Sequence, residues 1–240
     1  MKRGRSFLAI ALLVIVSVVV WEKEYPTIHI RYRLTVQVKV DDQVKMGVGV
    51  IDIAYPIYPD DFVYLGSSSE YRTIVGYAIT LDLGDKGLLF LTFMNGKSGR
   101  MRTVRCPMAD IACLPFAAYA GDTIVGGTYS REKASLQALQ AQSGPREVSL
   151  SDLPALIRFR NINDPMSAEA ISPVDLTASY GPGVAIQRVV VELTDDAVTP
   201  MPVEWPAWLK TIKGNLEGSI GCSLNALCLN SWDFRGQNNG

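Results

Sequence analysis

The sequence predicts a mainly β protein, either all-β or β-dominated α+β, folded as an antiparallel sandwich or partly open barrel with short marginal helices. The first observation is a strict alternation of apolar and polar residues over 28–40, typical of a long strand with one buried face. The second is a pair of strand–turn–strand patterns, at 28–50 and 75–94. The third is that the helix signals beyond the N-terminus are short.

In the first hairpin, the strand over 28–40 turns at Asp41-Asp42-Gln43 and alternation resumes from Val44. The phase of the alternation changes at Val50-Ile51, just after Gly47 and Gly49, and this predicts a bulge or bend. In the second hairpin, alternation over 75–83 is followed by a turn and by a nearly continuous apolar run over 88–94. Such a run is expected of a central strand covered on both faces.

The rest of the chain predicts shorter elements. A helix is expected over 131–142, and strands over 156–162 and 184–194, the last with a phase shift at Gln187-Arg188. Short helices are expected to begin at Ser172 and near Trp205, and Trp205 and Trp208 are expected to close the end of the core.

Three basic residues, Lys2, Arg3 and Arg5, precede an apolar run over 7–21 that ends at Glu22. This layout is typical of an export signal, and the absence of small residues suited to cleavage favours an anchor that stays attached. The run has fifteen residues, or about 22 Å as a helix, which is short for the ~30 Å core of a bilayer. We therefore expect a signal anchor, with a peptide cleaved after Ser17 as the alternative.

The positive charges before the run predict a single-pass protein of the bacterial inner membrane, with its N-terminus in the cytoplasm and its domain in the periplasm. The alternative is secretion to the periplasm after cleavage. The predicted organisation is a signal anchor over 1–21, a β-rich extracytoplasmic domain over 22–213 and a polar, cysteine-containing tail over 214–240. The net charge of −1 gives no basic surplus for nucleic acid. The expected partners are the membrane, through 7–21, and another envelope protein or a glycan.

The chain has four cysteines, all beyond the N-terminal run: Cys106, Cys113, Cys222 and Cys228. In an oxidising compartment an even count predicts two disulfides, and the spacing suggests the local pairs 106–113 and 222–228. Cross-pairing, free thiols and a metal site remain alternatives, although the spacings are wider than zinc sites favour.

No motif predicts a catalytic, cofactor-binding or metal-binding residue, and no cofactor is expected. Gly96-Lys97-Ser98 lacks the earlier glycine of a phosphate loop, and the paired aspartates at 41–42, 60–61 and 195–196 flank turns. The single histidine, His29, lies on the polar face of the first strand, where an exposed residue is expected rather than a catalytic base.

Aromatic residues gather in and beside the loop that follows the first hairpin: Tyr55, Tyr58, Phe62, Tyr64 and Tyr71. Tyrosine is enriched at interfaces, so these residues are candidates for a surface that contacts a protein or glycan. The alternative is a loop packed onto the sheet by its own side chains.

Several stretches, including Ile162-Asn163-Asp164-Pro165 and Tyr180-Gly181-Pro182-Gly183-Val184, together with a strand of the type of 191–195, give a resemblance. The chain resembles an uncharacterised family of proteobacterial membrane-anchored, β-rich envelope proteins. The resemblance implies an exported bacterial protein and no particular activity.

Three functions are therefore considered. The first is a non-catalytic cell-envelope protein, tethered to the inner membrane, with a periplasmic binding or structural domain. The second is a periplasmic hydrolase whose site is assembled from distant Ser, Asp, Lys or Tyr residues. The third is a binder of small ligands that uses the mouth of a barrel.

Overall fold

The computed structural model describes residues 2–58, 72–96, 110–119, 129–214 and 229–236. It contains two antiparallel sheets and short helices, and neither sheet closes into a barrel within these residues. The predicted β-dominated sandwich is thus confirmed. The strands are β1 (Thr27–Val40), β2 (Gln43–Pro56), β3 (Thr73–Val75), β4 (Ile79–Asp82), β5 (Leu88–Leu91), β6 (Arg146–Glu147), β7 (Leu156–Phe159), β8 (Ala168–Ile171) and β9 (Val184–Leu193).

The first sheet has the strand order β3-β2-β1-β9-β6 and is built around β1. β1 pairs with β2 without interruption from Thr27 opposite Pro56 to Val40 opposite Gln43. On its other side β1 pairs with β9, and the register shifts between Gln37 and Val38. This shift leaves Gln187 as the extra residue of a bulge, which confirms the phase change predicted in β9.

The second sheet has the strand order β4-β5-β7-β8 and lies against the first. Its inward side chains meet those of β1 in one hydrophobic core, in which Tyr32, Leu34, Leu89 and Leu91 are fully buried. The hydroxyls of Tyr32 and Tyr55 donate to the carbonyls of Ile111 and Ala112, both at 2.6 Å. These bonds attach the short turn Ile111–Cys113 to one end of the core.

A second core covers the outer face of the second sheet. Phe90 lies at its centre and makes edge-on contacts with Phe159, Trp205 and Phe234. β5 is therefore covered on both faces, as its apolar run predicts. The segment with Phe234 belongs to the predicted polar tail, and its packing shows that part of this tail is integral to the domain.

The helices are α1 (Lys2–Glu24), α2 (Leu114–Tyr119), α3 (Tyr129–Gln140), α4 (Thr177–Tyr180) and α5 (Ala207–Thr211). α3 and α5 correspond to the helices predicted over 131–142 and near Trp205. The helix expected to begin at Ser172 begins five residues later, because Ser172 instead forms an isolated bridge with Asp175. Asp175 then accepts hydrogen bonds from Thr177 and Ala178 at the start of α4.

Two strand predictions need correction. No bulge occurs at Val50-Ile51, where the pairing with β1 is regular. The alternation ends there because both faces of β2 are covered, and Val50 and Ile51 are both buried. The strand predicted over 75–83 is divided between the two sheets, with Gly76 at a φ of 144° at the point of transfer.

The transmembrane prediction is also corrected. Among the described residues, no helix combines the length and the apolar character needed to cross a bilayer. The expected signal anchor over 1–21, and with it the single-pass inner-membrane protein with a periplasmic domain, is therefore wrong. The physical reason lies in α1, whose apolar run of fifteen residues is bounded by basic residues before it and by Glu22, Lys23 and Glu24 after it.

The contact between β2 and β4 depends on a glycine at position 47. A Cβ atom added there would lie 2.7 Å from Leu81 Cγ and 2.9 Å from the carbonyl oxygen of Thr80. We expect Gly47→Ala to destabilise the protein by about 1–3 kcal/mol, since a backbone atom cannot move aside cheaply. Gly49→Ala should cost less, because its Cβ would meet only the flexible end of Ile79. Urea denaturation measures both, and equal effects would contradict this account.

The carboxyl group of Asp233 gives the fold a pH dependence. Burial raises the pKa of Asp233 to about 6, although its hydrogen bond from the backbone of Asn230 acts in the opposite direction. Because this pKa is higher in the folded than in the unfolded state, the associated stability is present below about pH 4. It is lost as the pH rises through 6.

Asp233→Asn keeps an acceptor for Asn230 but removes the buried charge. The variant should therefore be more stable than the wild type at pH 7, by at most about 3 kcal/mol, and nearly equal to it at pH 4. Thermal denaturation across this range tests the expectation, with Asp85→Asn in an exposed turn as the control. A stability difference that does not change with pH would contradict it.

Candidate functional site

A polar cavity of about 470 Å³ opens at the end of the first sheet where β1 begins. We call it the His29 cavity. Its lining residues come from β1, β2, the end of α3 and the turn after it, and the end of β9 and the segment that follows it: His29, Ile30, Arg31, Asp52, Gln140, Gln142, Leu193, Thr194 and Asp195. A second cavity of about 510 Å³ is bounded by two exposed turns and includes Asp41, Asp42, Asp85 and Lys86.

The alternation of β1 positions the site. Ile28 and Ile30 point into the core, so His29 and Arg31 point to the outer face. β9 ends at Leu193, which leaves the edge of β1 without a strand partner near its start. Other groups take this place: Thr194 N donates to the carbonyl of Arg31 at 3.1 Å, and Gln140 Nε2 to that of His29 at 3.0 Å. These bonds hold the cavity wall against β1.

The centre of the site is the carboxylate of Asp52. Asp52 lies directly opposite Arg31 on the neighbouring strand and is only 6% exposed. Its Oδ2 lies 3.0 Å from Nδ1 of His29 and 3.6 Å from Nη2 of Arg31. Because an ionised carboxylate only accepts hydrogen bonds, Nδ1 is the donor, and the Nε2 atom of a neutral His29 ring is left as an acceptor.

Two atoms of this cluster are unsatisfied. Oδ1 of Asp52 and Nε of Arg31 are buried and have no hydrogen-bond partner among the described residues. A buried polar atom without a partner costs about 1–3 kcal/mol, so native proteins rarely keep one without a functional reason. Here an acceptor and a donor are left unpaired on two cross-strand neighbours that line the same cavity.

A second group of charges borders the cavity. Arg33 donates to Glu192 at 2.6 Å and also pairs with Asp196, whose hydrogen bond raises the pKa of Arg33. The Asp195-Asp196 pair therefore contributes to the site through both members: Asp195 lines the cavity and Asp196 neutralises Arg33 beside it. The structure thus brings one of the three predicted aspartate pairs to the candidate site.

The disulfide prediction is corrected for the described part of the chain. Among the four cysteines only Cys113 lies in that part, where it is buried. Neither predicted pair has both of its cysteines among the described residues, so the structure does not establish the local pairs 106–113 and 222–228. Cys113 itself does not have a free thiol.

The proposed aromatic surface is divided. Tyr55 is buried in the core and donates its hydroxyl to Ala112, so it cannot belong to an exposed surface. Tyr58 is 36% exposed. Phe62, Tyr64 and Tyr71 lie outside the described residues, as do Asp60 and Asp61. A contact surface formed by these residues stays a prediction.

Sequence analysis missed Asp52. Its signal is a single charged residue inside the apolar stretch from Gly49 to Ile53, where strand residues are buried on both faces. His29 was expected to be an exposed strand residue, and its side chain is 57% exposed. The alternation of apolar and polar residues did not predict the contact between His29 and Asp52.

Comparison with known proteins brings no match: no protein family, curated protein or solved structure is similar to the chain. The resemblance to proteobacterial envelope proteins, and the membrane, protein or glycan partners expected from the sequence, stay predictions.

Proposed function

We propose that the protein is a binding protein for a small, uncharged, hydroxyl-rich ligand of the saccharide class, held in the His29 cavity. The observation on which this rests is the buried Asp52 carboxylate, which has one oxygen without a partner beside the unpaired Nε of Arg31. A hydroxyl group both donates and accepts, so ligand hydroxyls could pair with these two atoms. Because both atoms are closed to solvent in the structure, the side chains of Asp52 and Arg31 would shift on binding to expose them. The affinity gained would come from removing the cost of two unsatisfied groups.

The charges of the cavity disfavour an anionic ligand. Its walls include one guanidinium, from Arg31, and two carboxylates, from Asp52 and Asp195. An anionic ligand such as a phosphate would meet more negative than positive charge, since Arg33 nearby is already paired with two carboxylates. Gln140 and Gln142 donate their amide nitrogens to backbone carbonyls and keep their amide oxygens as acceptors.

The size of the site supports the same class. A cavity of about 470 Å³ lies within the range of roughly 300–1,000 Å³ that holds small ligands. The sequence predicts a binding role without a ligand, and the proposal specifies a saccharide as that ligand. It includes no role in a membrane. It also makes the expected glycan partner specific, because it names the residues that would contact the glycan.

Binding can be tested by titration calorimetry with neutral mono- and disaccharides, using a sugar phosphate and an amino sugar of the same size for comparison. We expect a neutral saccharide to bind and Asp52→Asn to weaken it at least tenfold, because the amide loses one of the two acceptor oxygens. Asp42→Asn is the matched control, since Asp42 lines the second cavity.

Two results would contradict the proposal. One is tighter binding of the phosphate or amine than of every neutral saccharide. The other is an affinity that Asp42→Asn lowers and Asp52→Asn leaves unchanged, since this would move the site to the second cavity. Thermal denaturation of both variants establishes that each is folded.

Hydrolysis of an ester on the bound ligand is a second candidate function, favoured by the contact between His29 and Asp52. With Nδ1 bonded to a carboxylate, Nε2 can accept the proton of a water molecule that attacks the carbonyl carbon. The C–O bond then breaks and the proton passes to the departing alcohol. This geometry is that of a base oriented by a carboxylate, without a covalent nucleophile.

Release of acetate from O-acetylated saccharides measures this activity. His29→Gln should abolish the release and lower saccharide affinity much less than Asp52→Asn does, because glutamine keeps an N–H donor but has no basic nitrogen to accept the proton. If the wild type releases no acetate, or if His29→Gln releases it at the same rate, the protein only binds its ligand.

A further inference from the structure

The half of β2 next to the turn has an open edge. β3 pairs with β2 only at Asp52, Ile53 and Ala54, and no strand of the described residues pairs with 43–49 on that side. The carbonyl of Val50 accepts from Thr199 N at 3.2 Å and its N–H donates to Thr199 Oγ1 at 2.8 Å. Since Thr199 does not belong to β1, the backbone groups of Val50 point away from β1.

In an antiparallel pair the direction of the backbone groups alternates along the strand. The N–H and C=O groups of Val44, Met46 and Val48 therefore point to the same open side as those of Val50. We call these three residues with Lys45 and Gly47 the 44–48 edge. The edge presents a row of backbone donors and acceptors to which a further strand could pair.

The side chains at the same three positions are apolar and exposed. Val44 is 55% exposed, Met46 61% and Val48 45%. The residues opposite them on β1 are the polar Lys39, Gln37 and Thr35. An apolar stripe on a sheet edge that no described segment covers is the combination that natural proteins usually avoid, so its presence indicates a partner.

We propose that the 44–48 edge pairs with the same edge of a second copy of this chain, antiparallel about a two-fold axis at Met46. In this register Met46 lies opposite its own counterpart, and Val44 lies opposite Val48 of the second copy. All apolar side chains of the stripe are thus matched with apolar side chains, which gives favourable cross-strand pairs. An isologous contact of this kind is the usual form of a two-fold dimer.

The other face of the strand fits the same register. Lys45, the one charged residue of the 44–48 edge, would lie opposite Gly47 of the second copy, which has no side chain to clash with it. Beyond Val48 the pairing ends, because Thr199 already occupies the edge at Val50. The two first sheets would then form one continuous sheet.

The proposed dimer contact involves only five residues of each chain, and this small size limits the expected affinity of the dimer. A five-residue strand pair buries much less than the roughly 1,200–2,000 Å² of stable interfaces, so we expect a dimer of micromolar or weaker affinity. Sedimentation velocity of the full chain over a range of concentrations should show the 26.3 kDa monomer in exchange with a dimer.

Charge substitutions at the two-fold axis test the register. Met46→Lys and Met46→Glu should each weaken dimer formation at least tenfold, because two like charges would lie directly opposite each other. An equimolar mixture of the two variants should restore it, because the opposed charges are then complementary. Val174→Lys is the control, since Val174 is 75% exposed and lies away from this edge.

The outcomes are distinct. Association that is lost in each single variant, restored in the mixture and kept in Val174→Lys supports the proposal. A wild type that stays monomeric at every concentration overturns it. It is also overturned if Met46→Lys associates like the wild type, as association through the exposed apolar residues of α1 would allow, or if the mixture of variants stays monomeric.

Discussion

The pairing of β1 with β2 is the constraint on which the rest of the structure depends. It runs over fourteen residues of each strand without a shift in register. One-residue slippage would move the seven apolar residues of β1 from the core to the outer face, so burial of these residues fixes the register strongly. The same register places Arg31 opposite Asp52 at one end of the hairpin and directs the backbone of the 44–48 edge outward at the other.

The second sheet can pack closely against this hairpin because two positions of β2 that face β4 are glycines. Gly47 and Gly49 have no side chains at the points where Leu81 and Ile79 of β4 approach most closely. β5 is then buried between the two cores, and the C-terminal segment with Phe234 completes the outer one. The two sheets therefore depend on residues far apart in sequence, and local propensity alone could not indicate their arrangement.

The long strands β1, β2 and β9 and the bulge in β9 could be predicted because each leaves a periodic signal of its own. The short strands β3, β6 and β8 leave none, and they were not predicted. The cavity could not be predicted, although the sequence contains most of what is needed to place Asp52 opposite Arg31. A tight turn at Asp41-Asp42 with a regular register implies that Arg31 faces Asp52. The phase change at Val50-Ile51, however, predicts a bulge or bend, and a bulge would shift every later pair.

The remaining errors have the same origin. The basic residues and apolar run of α1 have the layout of an export signal, and this layout favours an anchor even though the run, at about 22 Å as a helix, is shorter than the ~30 Å bilayer core. The spacing of cysteines likewise does not establish which sulfurs meet. A local pattern thus describes composition, whereas the pairing of cysteines depends on contacts that only the folded chain defines.

The polar cavity and the apolar edge are two ends of one surface. Outward residues of β2 are apolar at 44, 46 and 48, and the next polar one is Asp52. At about 3.3 Å per residue, Met46 and Asp52 are roughly 20 Å apart along the strand. Pairing of two copies at the edge would therefore leave both cavities open, one on each copy. A dimer would then present two ligand sites on one continuous sheet, so that a ligand with repeated units could engage both and gain affinity without any new contact.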